Sequence, residues 1–168
     1  MIVLGLDPGT AATGYGVVAV SGGRLRELAH GVVRTPAGQD PALRLAEIHE
    51  RVRALAEAHG PDAAAVEELF VRDNPRTILS VGEARGAALA ALGGRGVAVH
   101  AYTVSAIKTA VCGYGRAEKS QVQQMVRAIL ALDELPRPDH AADALAAAIC
   151  HANAARTPLA ALAGRGGR

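Results

Sequence analysis

Residues 1–33 read MIVLGLDPGTAATGYGVVAVSGGRLRELAHGVV, and the spacing of their turns decides the fold. Apolar runs at Ile2–Leu6, Gly14–Val20 and Leu25–Val33 are separated by Asp-Pro-Gly-Thr and Ser-Gly-Gly, which are turn-forming sequences. Links this short join neighbouring strands antiparallel, because a parallel return needs a crossover of about a dozen residues or more. The stretch therefore predicts a three-stranded meander. Beyond it the period changes. Asp40 followed by Pro41 reads as an N-cap with proline in the first turn, and Leu43, Leu45, Ile48, Val52 and Leu55 recur at helical spacing until Gly60. A short strand follows at Ala63–Val66, then a helix from Pro75 to Leu92, a strand at Val97–Tyr102, and a short helix at Ser105–Val111. A glycine-rich loop, a helix at Ser120–Leu132 and a last helix at Asp139–Ala152 complete the pattern.

Strands that return through helical crossovers after a meander lie parallel to the first strand. The order predicts an α/β domain of ribonuclease-H-like arrangement: a mixed five-stranded sheet, three antiparallel meander strands and then two parallel strands, flanked by helices. One such domain occupies residues 1–153, and residues 154–168 are expected to be a disordered tail, which reads as a solvated end rather than a source of DNA affinity.

Half of the 168 residues are hydrophobic, yet the longest apolar run, Ala141–Cys150, is far short of the ~20 residues that span a bilayer. No membrane partner is expected. The N-terminus lacks a basic segment and carries an acid within its apolar run, so a cytoplasmic protein is expected. Cys112 and Cys150 stand apart among apolar neighbours and predict buried, reduced thiols. The formal net charge is +2, but it is unevenly spread: Val71–Arg127 holds eight cations against three acids, +5, which leaves the rest at −3. A basic middle in an acidic chain suits a polyanionic ligand, and equally a set of solvated helix faces.

The informative residues are acids in apolar surroundings. Asp7 ends the first strand, where an unpaired buried carboxylate would cost several kcal/mol. Either it accepts hydrogen bonds from its own turn or it binds a metal ion. Glu67 ends the Ala63–Val66 strand in the same way, and the topology makes the two strands neighbours. Of the adjacent acids Glu67 and Glu68, Glu67 shares its parity with apolar Ala65 and is expected to face the site. On the last helix His140 and Asp143 lie at i and i+3, able to reach one ion, in a segment otherwise almost wholly alanine and leucine, while Asp139 reads as the N-cap. A lone histidine on such a face is more often a core residue; Asp143 beside it favours ligation. Asp7, Glu67, His140 and Asp143 together are too few to cage Mg²⁺ or Mn²⁺ and so leave coordination positions for water and substrate, as two-metal phosphodiester hydrolysis requires.

These residues resemble a known family, the RuvC Holliday junction resolvases, over about residues 1–153. Gly5-Leu6-Asp7-Pro8-Gly9-Thr10 with Gly14-Tyr15-Gly16 is similar to the family's first motif and Val66-Glu67-Glu68-Leu69-Phe70 to its second. Gly113 to Val122 is similar to its loop-to-helix motif, and Asp139-His140-Ala141-Ala142-Asp143-Ala144-Leu145-Ala146 to its last. The resemblance implies a structure-selective endonuclease of recombination and repair. It would make paired symmetric nicks in four-way junction DNA with two Mg²⁺ or Mn²⁺ ions, leave 5′-phosphate and 3′-hydroxyl ends, and prefer a thymine-rich cleavage site. It implies a homodimer and partnership with the RuvA and RuvB branch-migration proteins. Many members carry aspartate where His140 stands, and the imidazole, a softer ligand than carboxylate, favours Mn²⁺. Lys108, Lys119, Arg116 and Arg76 are expected on the DNA. Phe70, the sole phenylalanine, is read as stacking on a base or as core, and Tyr114 as a DNA contact in a loop that Gly113 and Gly115 leave free to move. The apolar helix from Thr77 to Leu92 offers a second face for a dyad-related subunit.

Two other classes share parts of this pattern. Asp-Pro-Gly-Thr also opens the phosphate-binding turn of actin-like kinases, but those need a second domain that 168 residues do not supply. A catalytically silent nucleic-acid-binding relative would be expected to have lost at least one of the four ligands.

Overall fold

A computed structural model describes residues 1–69 and 75–156 and, for Pro75 and Arg76, the backbone alone. Five strands form one sheet in the order β3-β2-β1-β4-β5: β1 Ile2–Asp7, β2 Ala12–Ser21, β3 Arg24–Arg34, β4 Ala63–Glu67 and β5 Ala98–Tyr102. The first three strands pair antiparallel, and β4 and β5 run parallel to β1. The predicted meander and its two parallel additions are all present. Short turns force the first arrangement, and the crossovers through α1 (Pro41–His59) and α2 (Pro75–Gly93) permit the second.

Helix α1 starts and stops where its caps put it. The Asp40 carboxylate accepts from the Ala42 N–H at 2.8 Å, and Gly60 closes the helix at φ 53°, a conformation glycine adopts without a Cβ penalty. Helices α1 and α2 cover one face of the sheet with Ile48, Val52, Ala84, Ala88 and Leu92 on Leu4, Leu6, Val17 and Val66. Helices α3 (Val104–Cys112), α4 (Lys119–Leu130) and α5 (Asp139–Arg156) cover the other, on Val3, Val18 and Ala65. The last helix continues to Arg156, past the boundary placed at 153, and the rest of the expected tail lies outside the described residues. Among the described residues no helix is long and apolar enough to cross a membrane. Cys150 is buried and Cys112 half-buried, and both are free thiols.

Helix α5 lies unusually deep. Every residue from Ala144 to Ala152 is buried. Gly5, Gly14 and Gly16 form its bed on the sheet. A Cβ at Gly5 would collide with the Ala144 carbonyl, one at Gly14 with the His140 carbonyl, and one at Gly16 would stand 2.7 Å from the Leu145 side chain. Glycine on the strands and alanine on the helix let two backbones meet with no side chain between them. That approach carries the polar start of α5 to the carboxylate ends of β1 and β4.

Candidate active site

Leu6 pairs with Val66 in the parallel β1–β4 ladder, so Asp7 and Glu67, the next residues of each strand, end side by side. Strand alternation sends Val3 and Ala65 to the α5 face and Leu4, Leu6 and Val66 to the α1–α2 face. Asp7 and Glu67 share the parity of Val3 and Ala65 and point towards α5. Glu68 takes the opposite side and is exposed, its N–H donating to the Tyr102 carbonyl at 2.9 Å.

The turn after Asp7 does not use the Asp7 carboxylate as its anchor. Thr13, fully buried, takes that place: its hydroxyl donates to the Gly9 carbonyl at 2.8 Å and accepts from the Gly9 N–H at 3.4 Å. The Thr35 hydroxyl donates to the Thr10 carbonyl, and Thr10 and Ser80 share a hydrogen bond of 2.7 Å that ties the turn to α2. Asp7 is thereby free to accept from His140 Nδ1 at 2.7 Å. An ionised carboxylate only accepts, so with Asp7 ionised the hydrogen of this bond sits on Nδ1.

Asp143 and Asp139 both reach Lys119, whose Nζ lies 3.2 Å from Asp143 Oδ2 and 3.4 Å from Asp139 Oδ2. Asp139 is not the predicted N-cap. The Pro138 carbonyl accepts the first N–H groups of α5, from Ala141 and Ala142, which places Asp139 inside the first turn. Its carboxylate turns to α4, where Gln123 Nε2 donates to it at 2.8 Å. Lys119 thus stands between the two aspartates at the start of α5.

Glu67, Lys108, Lys119 and Asp143 line a cavity of about 200 Å³, walled by apolar side chains of α3, α4 and α5. The electrostatics are those of a site short of positive charge. Burial, then the neighbouring Asp7 and Asp143, push Glu67 up to about 7 against the pull of Lys108 and Lys119. Burial also raises Asp7, opposed by the His140 hydrogen bond. Lys119 is opposed by burial but held up by Asp143 and Asp139.

The remaining expected DNA contacts fall in different places. Lys108 lines the cavity, and Arg116 is exposed in the α3–α4 loop. Tyr114 in the same loop is half-exposed, and its hydroxyl donates to Gln121 Oε1 at 2.7 Å. Gln121 also accepts from the Glu118 N–H at 2.8 Å, which closes a capping box on α4. The loop's glycines also meet local steric demands. Gly113 caps α3 at φ 85°, and a Cβ on Gly115 would strike the Ser105 hydroxyl. Phe70 and the Arg76 side chain lie outside the described residues.

Residues 3–151 match the family model described as crossover junction endodeoxyribonuclease RuvC. The chain belongs to the RuvC family. The RuvC of Moorella thermoacetica is 52% identical over 153 residues, 91% of this chain and 92% of the relative. That of Heliobacterium modesticaldum is 54% identical over 153 residues, 91% of this chain and 94% of the relative. The Thermus thermophilus RuvC structure superimposes with a TM-score of 0.87 at 44% identity, covering 93% of this chain and 96% of that one. The T. thermophilus RuvC in complex with Holliday junction substrate gives 0.89 at 44% identity, covering 93% and 95%. The yeast mitochondrial Holliday junction resolvase Ydc2 shares the fold, with a TM-score of 0.61 at 14% identity.

Several residues of this RuvC-family site were not singled out from sequence. Thr13, Ser80, Gln121 and Gln123 act through hydrogen bonds to residues that were. Glu118-x-x-Gln121 carries a capping-box signal that the sequence does offer. Gln123 offers only its place one turn after Lys119, which gains meaning once α5 is laid beside α4.

Proposed function

We propose that this RuvC-family chain is a structure-selective endonuclease that resolves four-way DNA junctions by metal-dependent phosphodiester hydrolysis. The observation that carries the reading is the gathering of Asp7, Glu67, His140 and Asp143 at one end of the sheet, in a chain of this family. Among the described residues no three acidic, histidine or cysteine side chains close into a ready metal cage: Asp7 is taken by His140 and Asp143 by Lys119. The donors nevertheless fit divalent cations. Three carboxylates supply hard oxygens and His140 a nitrogen, and burial, with Asp7 and Asp143 beside it, pushes Glu67 up to about 7 despite Lys108 and Lys119.

Asp7, Glu67, His140 and Asp143 would hold two Mg²⁺ or Mn²⁺ ions. Bound there, such ions supply Lewis acidity, making a water nucleophilic and offsetting charge on the leaving 3′ oxygen, with 5′-phosphate and 3′-hydroxyl products. The chain's own residues do the rest. Asp7 orients the His140 ring and fixes its tautomer. Lys108 and Lys119 put positive charge beside the scissile phosphate, and Arg116 and Arg76 bind phosphates farther out. Phe70 and Tyr114 meet bases opened at the crossover. A four-way junction is nearly two-fold symmetric, so paired nicks need two such sites on a dyad, which a homodimer provides. Helix α2 offers Leu79 to it, 66% exposed in the single chain. RuvA and RuvB are the partners that the family implies.

The test is cleavage of a synthetic four-way junction and a linear duplex of the same sequence, with Mg²⁺, Mn²⁺ or chelator, by wild type and Asp7→Asn. Paired nicks confined to the junction, dependent on metal and on Asp7, are expected. Binding without cutting by the wild type would make the chain a structural relative, and failure to bind the junction would end the reading. His140 adds a nitrogen donor, so Mn²⁺ is expected to give faster cleavage than Mg²⁺; equal rates across a concentration series would remove that role from the imidazole.

A further inference from the structure

Lys119 divides its charge between an aspartate inside the proposed ligand set and one outside it. Asp139 and Asp143 are one turn apart on α5 and present their carboxylates to the same side. Lys119 and Gln123 are one turn apart on α4 and reach back. The ammonium contacts both aspartates, and the Gln123 amide holds the other oxygen of Asp139, Oδ1, at 2.8 Å. The root of the lysine is fixed as well, because it is the first residue of α4 and its neighbour Glu118 is locked by the capping box with Gln121.

Stability does not explain this arrangement. Lys119 and Asp139 are 54% and 61% exposed, and ion pairs so open to water add little. Placement does. The charge on Lys119 bears on Asp7 and Glu67 as well as on Asp143, and while Lys108 shares the cavity and bears on Glu67, Lys119 is the cation paired with Asp143. Any divalent ion that uses Asp143 competes with it. An ammonium that lost its only carboxylate would resist displacement, whereas one with a second carboxylate, already tethered 3.4 Å away, has somewhere to go.

We propose that Asp139 is a positioning residue for Lys119: it receives the ammonium when a divalent cation takes Asp143, and keeps it beside the site for the substrate phosphate. Gln123 holds Asp139 in place for this exchange. The inference rests on the metal-site reading above and adds a residue outside the ligand set to it.

The test is calorimetric titration of the full chain with Mn²⁺ alone, without DNA. Asp139→Asn leaves Lys119 wholly on Asp143 and is expected to weaken Mn²⁺ binding by about two- to fivefold. Asp139→Glu, which keeps a carboxylate, restores most of that affinity, and Gln123→Ala gives a smaller loss of the same sign. The deciding measurement repeats Asp139→Asn in a Lys119→Met background. Acting through Lys119, the substitution has no effect there; acting only as one more negative charge near the metal, it costs the same with or without the lysine, and that result would overturn the inference. Asp143→Asn separates the two levels. If it leaves Mn²⁺ affinity unchanged, the metal-site reading itself fails; if it abolishes binding while Asp139→Asn costs the same in both backgrounds, only the role of Asp139 falls.

Discussion

The two ends of α5 each carry a histidine with a hydrogen bond of the same length. His140 Nδ1 meets Asp7 at 2.7 Å, and His151 Nδ1 meets the Tyr102 hydroxyl at 2.7 Å. Their surroundings differ in every other respect. His151 is 6% exposed and stacks on His100 with ring centroids 4.3 Å apart; burial, then the neighbouring imidazole, lowers its pKa, so it sits neutral in the core. His140 is 47% exposed, at the mouth of the carboxylate cluster, beside Asp7 and three residues before Asp143. A short bond therefore says nothing about role. Solvent access and the sign of the neighbouring charge separate a histidine held in packing from the one proposed to serve chemistry.

Substitution should break that symmetry most visibly in activity. His140→Ala is expected to lower junction cleavage by about 10²- to 10³-fold, the scale of losing one group that acts on the transition state, with little change in the folded fraction. His151→Ala should leave cleavage per folded molecule unchanged but cost about 2 to 3 kcal/mol in denaturant unfolding, since it opens a cavity and strips the Tyr102 hydroxyl of its partner. A folded His151→Ala protein that cannot cut would erase the distinction between the two ends.

Glu67 sharpens the contrast through stability. Its carboxyl is pushed from 4.5 to about 7 in the folded chain, so the folded state holds this proton more tightly than the unfolded state. The resulting stabilisation is complete below pH 4.5 and is lost as pH rises to about 7. In chelator at pH 8, Glu67→Gln should therefore be the more stable protein, by about 1 to 2 kcal/mol once solvent screening of a part-exposed group is allowed for. Equal stability of the two proteins at pH 8 would show that the cluster is not strained.

The smallest effect belongs to His151 and has the opposite slope. Its folded pKa is depressed below 6.5, so the unfolded chain takes the proton first and stability falls as pH drops through 6.5. Measured in the Glu67→Gln background, where the carboxyl no longer contributes, this slope should be present with His151 and absent in His151→Ala.

Sequence made the fold legible because its determinants are local. Asp40 with Pro41 and Gly60 bound α1, and the short turns after Asp7 and Ser21 force the meander. The four side chains of the proposed site stand out in sequence for a related reason: an acid that ends an apolar strand, or a histidine–aspartate pair that begins an apolar helix, contradicts its surroundings. What stayed hidden depends on contacts between elements. Asp139 carries every local mark of an N-cap, and only the packing of α4 on α5 reveals Lys119 and Gln123 opposite it. Gly113 and Gly115 suggest motion when the loop is read alone. The cap that Gly113 completes on α3 and the Ser105 hydroxyl that Gly115 must clear come from neighbouring structure.

Gly14 has a consequence for heredity as well as for packing. It carries no side chain, yet a methyl group there would collide with the His140 carbonyl and stand 2.9 Å from its Cβ. The one-carbon mutation Gly14→Ala would lift the start of α5 off the sheet and draw His140 away from Asp7, leaving every functional group present and out of register. A lineage can thus lose this site without altering any residue that a search for missing ligands would inspect.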